Sequence, residues 1–216
     1  MTISIIGWGS LIWRPGALQI ESRWRRDGPS FPIEFARISG DGRLTLVIHE
    51  ESAEVQTYWA LSRCETLDAA IENLQQREGT PTKRPIHCLL SSGEVYQRDG
   101  IRRNVSDGIS RKVGTWLAGK PELSAAVWTG LRSNWEENRN SKTFSVDDAV
   151  LYARELEEAV NLGTAEERRK AEVVLNSACE YVRNTPDQVQ TAVRKRLSSH
   201  GKWADAALSP VLFDPE

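Results

Sequence analysis

Two segments of this 216-residue chain carry residue types and spacings that could do chemistry. The first follows a short apolar run, Ile3 to Ile6, and reads Gly7-Trp8-Gly9-Ser10-Leu11-Ile12-Trp13. Two glycines and a serine directly after a strand make a turn in which backbone N–H groups converge on an anionic or carbonyl oxygen. The second is Glu78. Apolar residues recur at helical spacing as Leu67, Ala70, Ile71 and Leu74, and the continued stripe brings Glu78 onto the same face, one residue before a helix-ending Gly79. A carboxylate on the core side of a helix is costly unless it is paired, hydrogen-bonded or protonated, and the helix dipole adds to burial in favouring its protonated form. Such a group trades protons near neutral pH. The plainer reading is a frayed last turn, with Arg77 the neighbour expected to face solvent.

Other chemistries fail on spacing. A dinucleotide turn needs a third glycine where Ile12 stands, and a phosphate loop needs a Gly-Lys-Ser/Thr that never arrives. Ser10 lacks the Gly-x-Ser-x-Gly frame of a nucleophile elbow. Arg14, Arg37 and Arg43 each carry a planar fork able to clamp a substrate carboxylate, with surface pairing the plainer role for any one of them. Thr129 to Trp135 is polar and aromatic after a strand, as a pocket rim would be.

Residues 8 to 16, Trp-Gly-Ser-Leu-Ile-Trp-Arg-Pro-Gly, resemble the Tyr-Gly-Ser-Leu-Ile-Trp signature of gamma-glutamyl cyclotransferases, particularly the ChaC-like branch. Asn73-Leu74-Gln75-Gln76-Arg77-Glu78 resembles the segment holding that branch's catalytic glutamate. The likeness loosely covers residues 2 to 130. It implies an α+β fold built on a small mixed β-barrel with surrounding helices, and the cyclisation of a gamma-glutamyl group to 5-oxoproline with release of an amine or amino acid. It also implies Glu78 as general acid and base, and a substrate site at Trp8, Gly9, Ser10 and Leu11, to which the carboxylate reading adds Arg37. No metal or other cofactor is implied, and the partner is a small gamma-glutamyl compound. Trp8 stands where the signature has tyrosine, exchanging a hydroxyl for an indole donor. Tyr58 and Tyr96 are the nearest candidates for the tyrosines that complete the family's site. The alternatives are a noncatalytic module that binds a small carboxylate or amide and meets a protein through its C-terminal helices, and an enzyme acting on gamma-glutamylamines.

Composition bounds these readings. Hydrophobic residues at 39% and charged residues at 27%, with no membrane-length apolar run, predict a soluble globular protein without a membrane partner. The start, Met1-Thr2-Ile3-Ser4-Ile5, lacks the basic and apolar regions of a signal peptide. Cys64, Cys88 and Cys179 are odd in number and widely spaced, which predicts no disulfide framework and a reducing, cytoplasmic setting; His49, His87 and His200 form no zinc pattern. A net charge of −2 argues against a nucleic-acid partner, so the basic runs Arg23 to Arg26 and Arg102-Arg103 read as solvated surface.

The elements that must position these residues alternate along the first 144 positions. Strands are predicted at Ile3 to Ile6, Phe31 to Ile38, Leu44 to His49, Val55 to Leu61, Ile86 to Leu90 and Ala125 to Trp128, with a hairpin turn at Gly40-Asp41-Gly42. Ser62 to Glu65 fits a capping box ahead of the Leu67 helix. Residues 145 to 216 read as a helical extension packed on a 1–144 domain, with helix starts at Ser145 and Thr164 and a third helix after Pro186. Val150, Leu156, Leu175 and Val182 should face the β-rich body or a second subunit, as in a homodimer.

Overall fold

A computed structural model describes residues 1–21, 23–97, 100–101 and 103–204. In chain order the elements are β1 (Ile3–Gly7), α1 (Ser10–Trp13), β2 (Ser30–Ile38), β3 (Leu44–Ile48), β4 (Glu54–Gln56), β5 (Tyr58–Leu61), α2 (Leu67–Glu78), β6 (Ile86–Leu90), α3 (Asp107–Ala118), β7 (Ala125–Thr129), α4 (Trp135–Asn138), α5 (Val146–Ala159), α6 (Ala165–Asn184) and α7 (Ala192–Leu197), followed by a 3-10 turn at Gly201–Trp203. The chain is α+β. Its described strands pair as two open sheets, in the orders β5-β1-β7-β6 and β3-β2-β4, in place of the single barrel expected. No helix among the described residues is long and apolar enough to cross a membrane.

The described chain divides into two compact units, one from residues 1–31 and 56–131 and the other from residues 32–55 and 132–204. This division does not follow the 144/145 boundary expected from sequence, because the C-terminal helices share their unit with the hairpin of β2 and β3.

In the first unit β1 is central, antiparallel to β5 and parallel to β7, and every one of its residues is buried. Buried strands of this kind show continuous apolar runs, as Ile3, Ile5 and Ile6 do. Ser4, the one hydroxyl within, donates to the Ala125 carbonyl at 3.1 Å. The two parallel strands put their carboxyl ends on the same edge of the sheet. α2 then packs across β6 and β7 through Leu67, Ala70, Ile71 and Leu74. Burial of each leucine or isoleucine in that stripe contributes roughly 1.5–3 kcal/mol. Thr66 caps its start by accepting from the Ala69 N–H at 3.3 Å, and Gly79 ends it in the left-handed conformation (φ 64°, ψ 25°) that favours glycine. Ser62 is not the cap. Its N–H is bound to the Ile3 carbonyl at 2.8 Å and it bridges to Ile20, so the chain stays extended until Thr66.

Of the basic runs, Arg23 and Arg26 are exposed, while Arg25 is half-buried with its guanidinium 4.4 Å from the Trp59 ring. Arg103 is buried, not solvated, and donates to the carbonyls of Ile86 (2.5 Å) and Tyr96 (2.9 Å). Arg102 lies outside the described residues.

In the second unit a buried carboxylate organises the packing. Glu34, 1% exposed in the middle of apolar β2, accepts from the N–H groups of Phe35 (2.8 Å), Ala192 (2.9 Å) and Val193 (3.3 Å). The last two are donors that the start of α7 would otherwise leave unpaired. A negative charge there also meets the positive end of the helix dipole. Glu34→Ala should therefore destabilise the protein by about 3 kcal/mol, the order expected when charge-assisted hydrogen bonds are lost and buried donors are stranded. Denaturant titration would read this, with Glu34→Gln losing less because its amide keeps one acceptor.

Candidate functional site

The glycine turn and the end of α2 meet in the first unit. Gly9 adopts φ 74°, ψ −143°, a conformation reserved for glycine, and redirects the chain from β1 into the single turn of α1. That turn is closed by Ile12 N–H to Gly9 carbonyl (3.0 Å) and Arg14 N–H to Ser10 carbonyl (2.9 Å). The N–H groups of Ser10 and Leu11 precede any intrahelical acceptor, and no hydrogen bond among the described residues engages them.

Glu78 and Arg77 follow at the end of α2. The Glu78 side chain is 15% exposed, and burial pushes its carboxyl above the ordinary carboxylate value while the Arg77 charge pulls it back. Arg77 contradicts the expectation that it would face solvent: its side chain is only 13% exposed. Its guanidinium stands 3.3 Å from the Glu78 carboxylate through Nη1 and donates through Nη2 to the Ser10 hydroxyl (3.1 Å) and the Arg14 carbonyl (2.8 Å). One planar fork thus ties the turn to the carboxylate. Arg77→Gln should cost about 1–3 kcal/mol by the loss of these charged hydrogen bonds. It should also move the Glu78 titration further up, readable by side-chain carboxyl NMR.

The remaining candidates are placed apart from this pair. Trp8 is 7% exposed, with its ring edge-on to Phe31 at 5.6 Å, which in turn lies 6.2 Å from Trp128. Trp8 therefore belongs to an aromatic core stack. Arg37 lies on β2 in the second unit and donates to the Arg132 carbonyl at 2.8 Å; Arg43, in the same unit, donates to Ser177 at 3.1 Å. Tyr96 donates to Asp68 at 3.0 Å, in the first turn of α2 and about 15 Å of helix away from Glu78. Tyr58 is fully buried in β5. The expected rim from Thr129 to Trp135 breaks up: Ser133 and Asn134 bind the backbone of Ala36 and Ile38 in the second unit, and Trp135 is 1% exposed.

A groove of about 530 Å³ runs along the other flank of α2, lined by Gln19, Arg63, Cys64, Thr66, Asn73 and Gln76 among others. The three cysteines are free thiols, and burial pushes Cys179 up to about 11. No cluster of three or more His, Cys, Asp or Glu suited to a metal ion occurs among the described residues. Comparison with protein-family models, curated proteins and solved structures finds no match to this chain.

Proposed function

We propose that the chain is a gamma-glutamyl cyclotransferase-like enzyme that closes a gamma-glutamyl group into 5-oxoproline. The observation that carries this reading is the mostly buried Glu78 carboxyl, its proton affinity raised by burial, joined through Arg77 to the Ser10 end of a glycine turn with open N–H groups. In the proposed reaction Glu78 takes a proton from the substrate's α-ammonium, and the neutral amine attacks its own γ-carbonyl carbon. The carbonyl electron pair moves to oxygen, and the N–H groups of Ser10 and Leu11 stabilise the oxyanion. The intermediate collapses by breaking the γ-amide C–N bond as Glu78 gives its proton to the departing nitrogen; Glu78 then takes the second proton from the ring nitrogen, leaving the neutral lactam N–H, and passes it to the released amine, which departs as its ammonium.

The test is to incubate the purified full-length chain with glutathione, gamma-glutamyl dipeptides and gamma-glutamylamines and to quantify 5-oxoproline by mass spectrometry. Release from at least one class is expected; release from none overturns the reading. The buried indole of Trp8 and the standing Arg77–Glu78 ion pair favour a second reading, a binder of small carboxylates or amides. Saturable binding of 5-oxoproline without turnover of any compound would select it.

A further inference from the structure

Thr129, the last residue of β7, is 8% exposed, and its buried hydroxyl has no hydrogen-bond partner among the described residues. Buried hydroxyls are seldom left so, because an unsatisfied one costs about 1–3 kcal/mol. Strand register places this atom. Ile3, Ser4 and Ile5 of β1 stand beside Ala125, Ala126 and Val127, and the same register continued two residues past this last pair brings Thr129 level with Gly7, from which the glycine turn departs.

The face follows from alternation. α2 and α3 both pack across β6 and β7 without packing closely on each other, as helices on opposite faces of a sheet do. Gly114 of α3 lies against Leu89, with 3.7 Å between its would-be Cβ and the leucine. Leu89 and His87 share that face with Trp128, the partner of His87. Ile86, Cys88, Val127 and Thr129 occupy the other face, beneath α2. Arg77 reaches Ser10 and Arg14, so α2 delivers its Glu78 end to this same carboxyl edge. A buried hydroxyl with no described partner, the unengaged N–H groups of the turn and the Glu78 carboxyl thus belong to the same carboxyl edge of the sheet.

Resting on the cyclotransferase reading, we propose that Thr129 is a further substrate-contacting residue, its hydroxyl exchanging a hydrogen bond with the amide of the gamma-glutamyl compound and of the 5-oxoproline formed from it.

The test pairs Thr129→Val, which keeps the shape, with Thr129→Ser, which keeps the hydroxyl. Because the hydroxyl bonds to none of the described residues, Thr129→Val should leave the melting temperature equal or higher. It should weaken 5-oxoproline binding by calorimetry roughly five- to tenfold, the worth of one hydrogen bond, and Thr129→Ser should bind like wild type. Unchanged affinity in Thr129→Val, or a clear drop in its melting temperature, overturns the proposal. A wild-type chain that neither binds 5-oxoproline nor releases it from any gamma-glutamyl compound fails one level earlier and removes the enzymatic reading together with the proposal.

Discussion

Glu78→Gln is expected to cut 5-oxoproline release by at least ~10²-fold, the usual contribution of a positioned general acid or base, while the protein stays folded. Glutamine keeps the size of the side chain and its acceptor to Arg77 but cannot carry the proton from the ammonium to the leaving nitrogen. A variant retaining near wild-type turnover would remove Glu78 from the mechanism. The stability of the same variant has a definite sign. Burial, the larger influence, raises the folded-state pKa above its ordinary value of 4.5, so the folded protein holds this proton more tightly than the unfolded chain. Any stability that the protonated carboxyl contributes is then fully present below the ordinary value and is lost as pH rises through the raised one. Glu78→Gln, permanently neutral, should melt at the same temperature as wild type in acid and at a higher temperature at neutral pH. The acid limb of the wild-type rate profile should likewise fall at a pH above the ordinary carboxylate range, because the base form is lost there.

How much of this was legible in the sequence depends on what each signal encodes. The apolar runs of β1, β6 and β7 and the αL glycine that ends α2 are local features, and the structure has them where the pattern predicts. The helix start at Thr164 also forms as expected, where Thr164 and Glu167 make both reciprocal bonds of a capping box. The run Val55 to Leu61 splits into β4 and β5 because Thr57 turns aside, its N–H and its hydroxyl both bound to the Pro29 carbonyl. α3 escaped detection although Ile109, Val113 and Leu117 form its stripe and Ser106 caps it, since Gly108 and Gly114 weaken the helical signature.

The site was legible only in part, for the same reason. Glu78 and the Gly9 turn carry their own local signals, whereas Arg77 acquires its role from a turn 63 to 67 residues earlier in the chain. Helical position alone assigned it to solvent. Glu34 was invisible in the same way: a charge inside the Phe31 to Ile38 run gives no hint that a helix beginning 158 residues later will present its N–H groups to it. Arg37 and Arg43 matched the chemistry of a carboxylate clamp by residue type, but backbone and serine oxygens take them up.

Deleting everything after Phe144 should produce aggregated or poorly folded protein, the second large effect expected. Val150, Leu175 and Val182 are buried and Leu156 half-buried, and all four belong to the unit that also contains residues 32–55. Within that unit, Phe35 packs edge-on against Tyr181 at 5.9 Å, Tyr152 donates to the Gly42 carbonyl, and Arg43 donates to Ser177. Truncation would remove all of these partners at once. It would leave the Glu34 carboxylate in an apolar strand without the N–H groups of Ala192 and Val193, a cost of several kcal/mol for a buried charge that loses its compensation. Apolar faces of β2 and β3 would then be open to solvent and to other copies of the chain. Size-exclusion chromatography and a dye that reports exposed apolar surface would read the outcome. A residue 1–144 fragment that stays soluble, monomeric and cooperatively folded would show that the hairpin does not depend on the helices that cover it, and would favour a detachable tail whose role is to contact another protein.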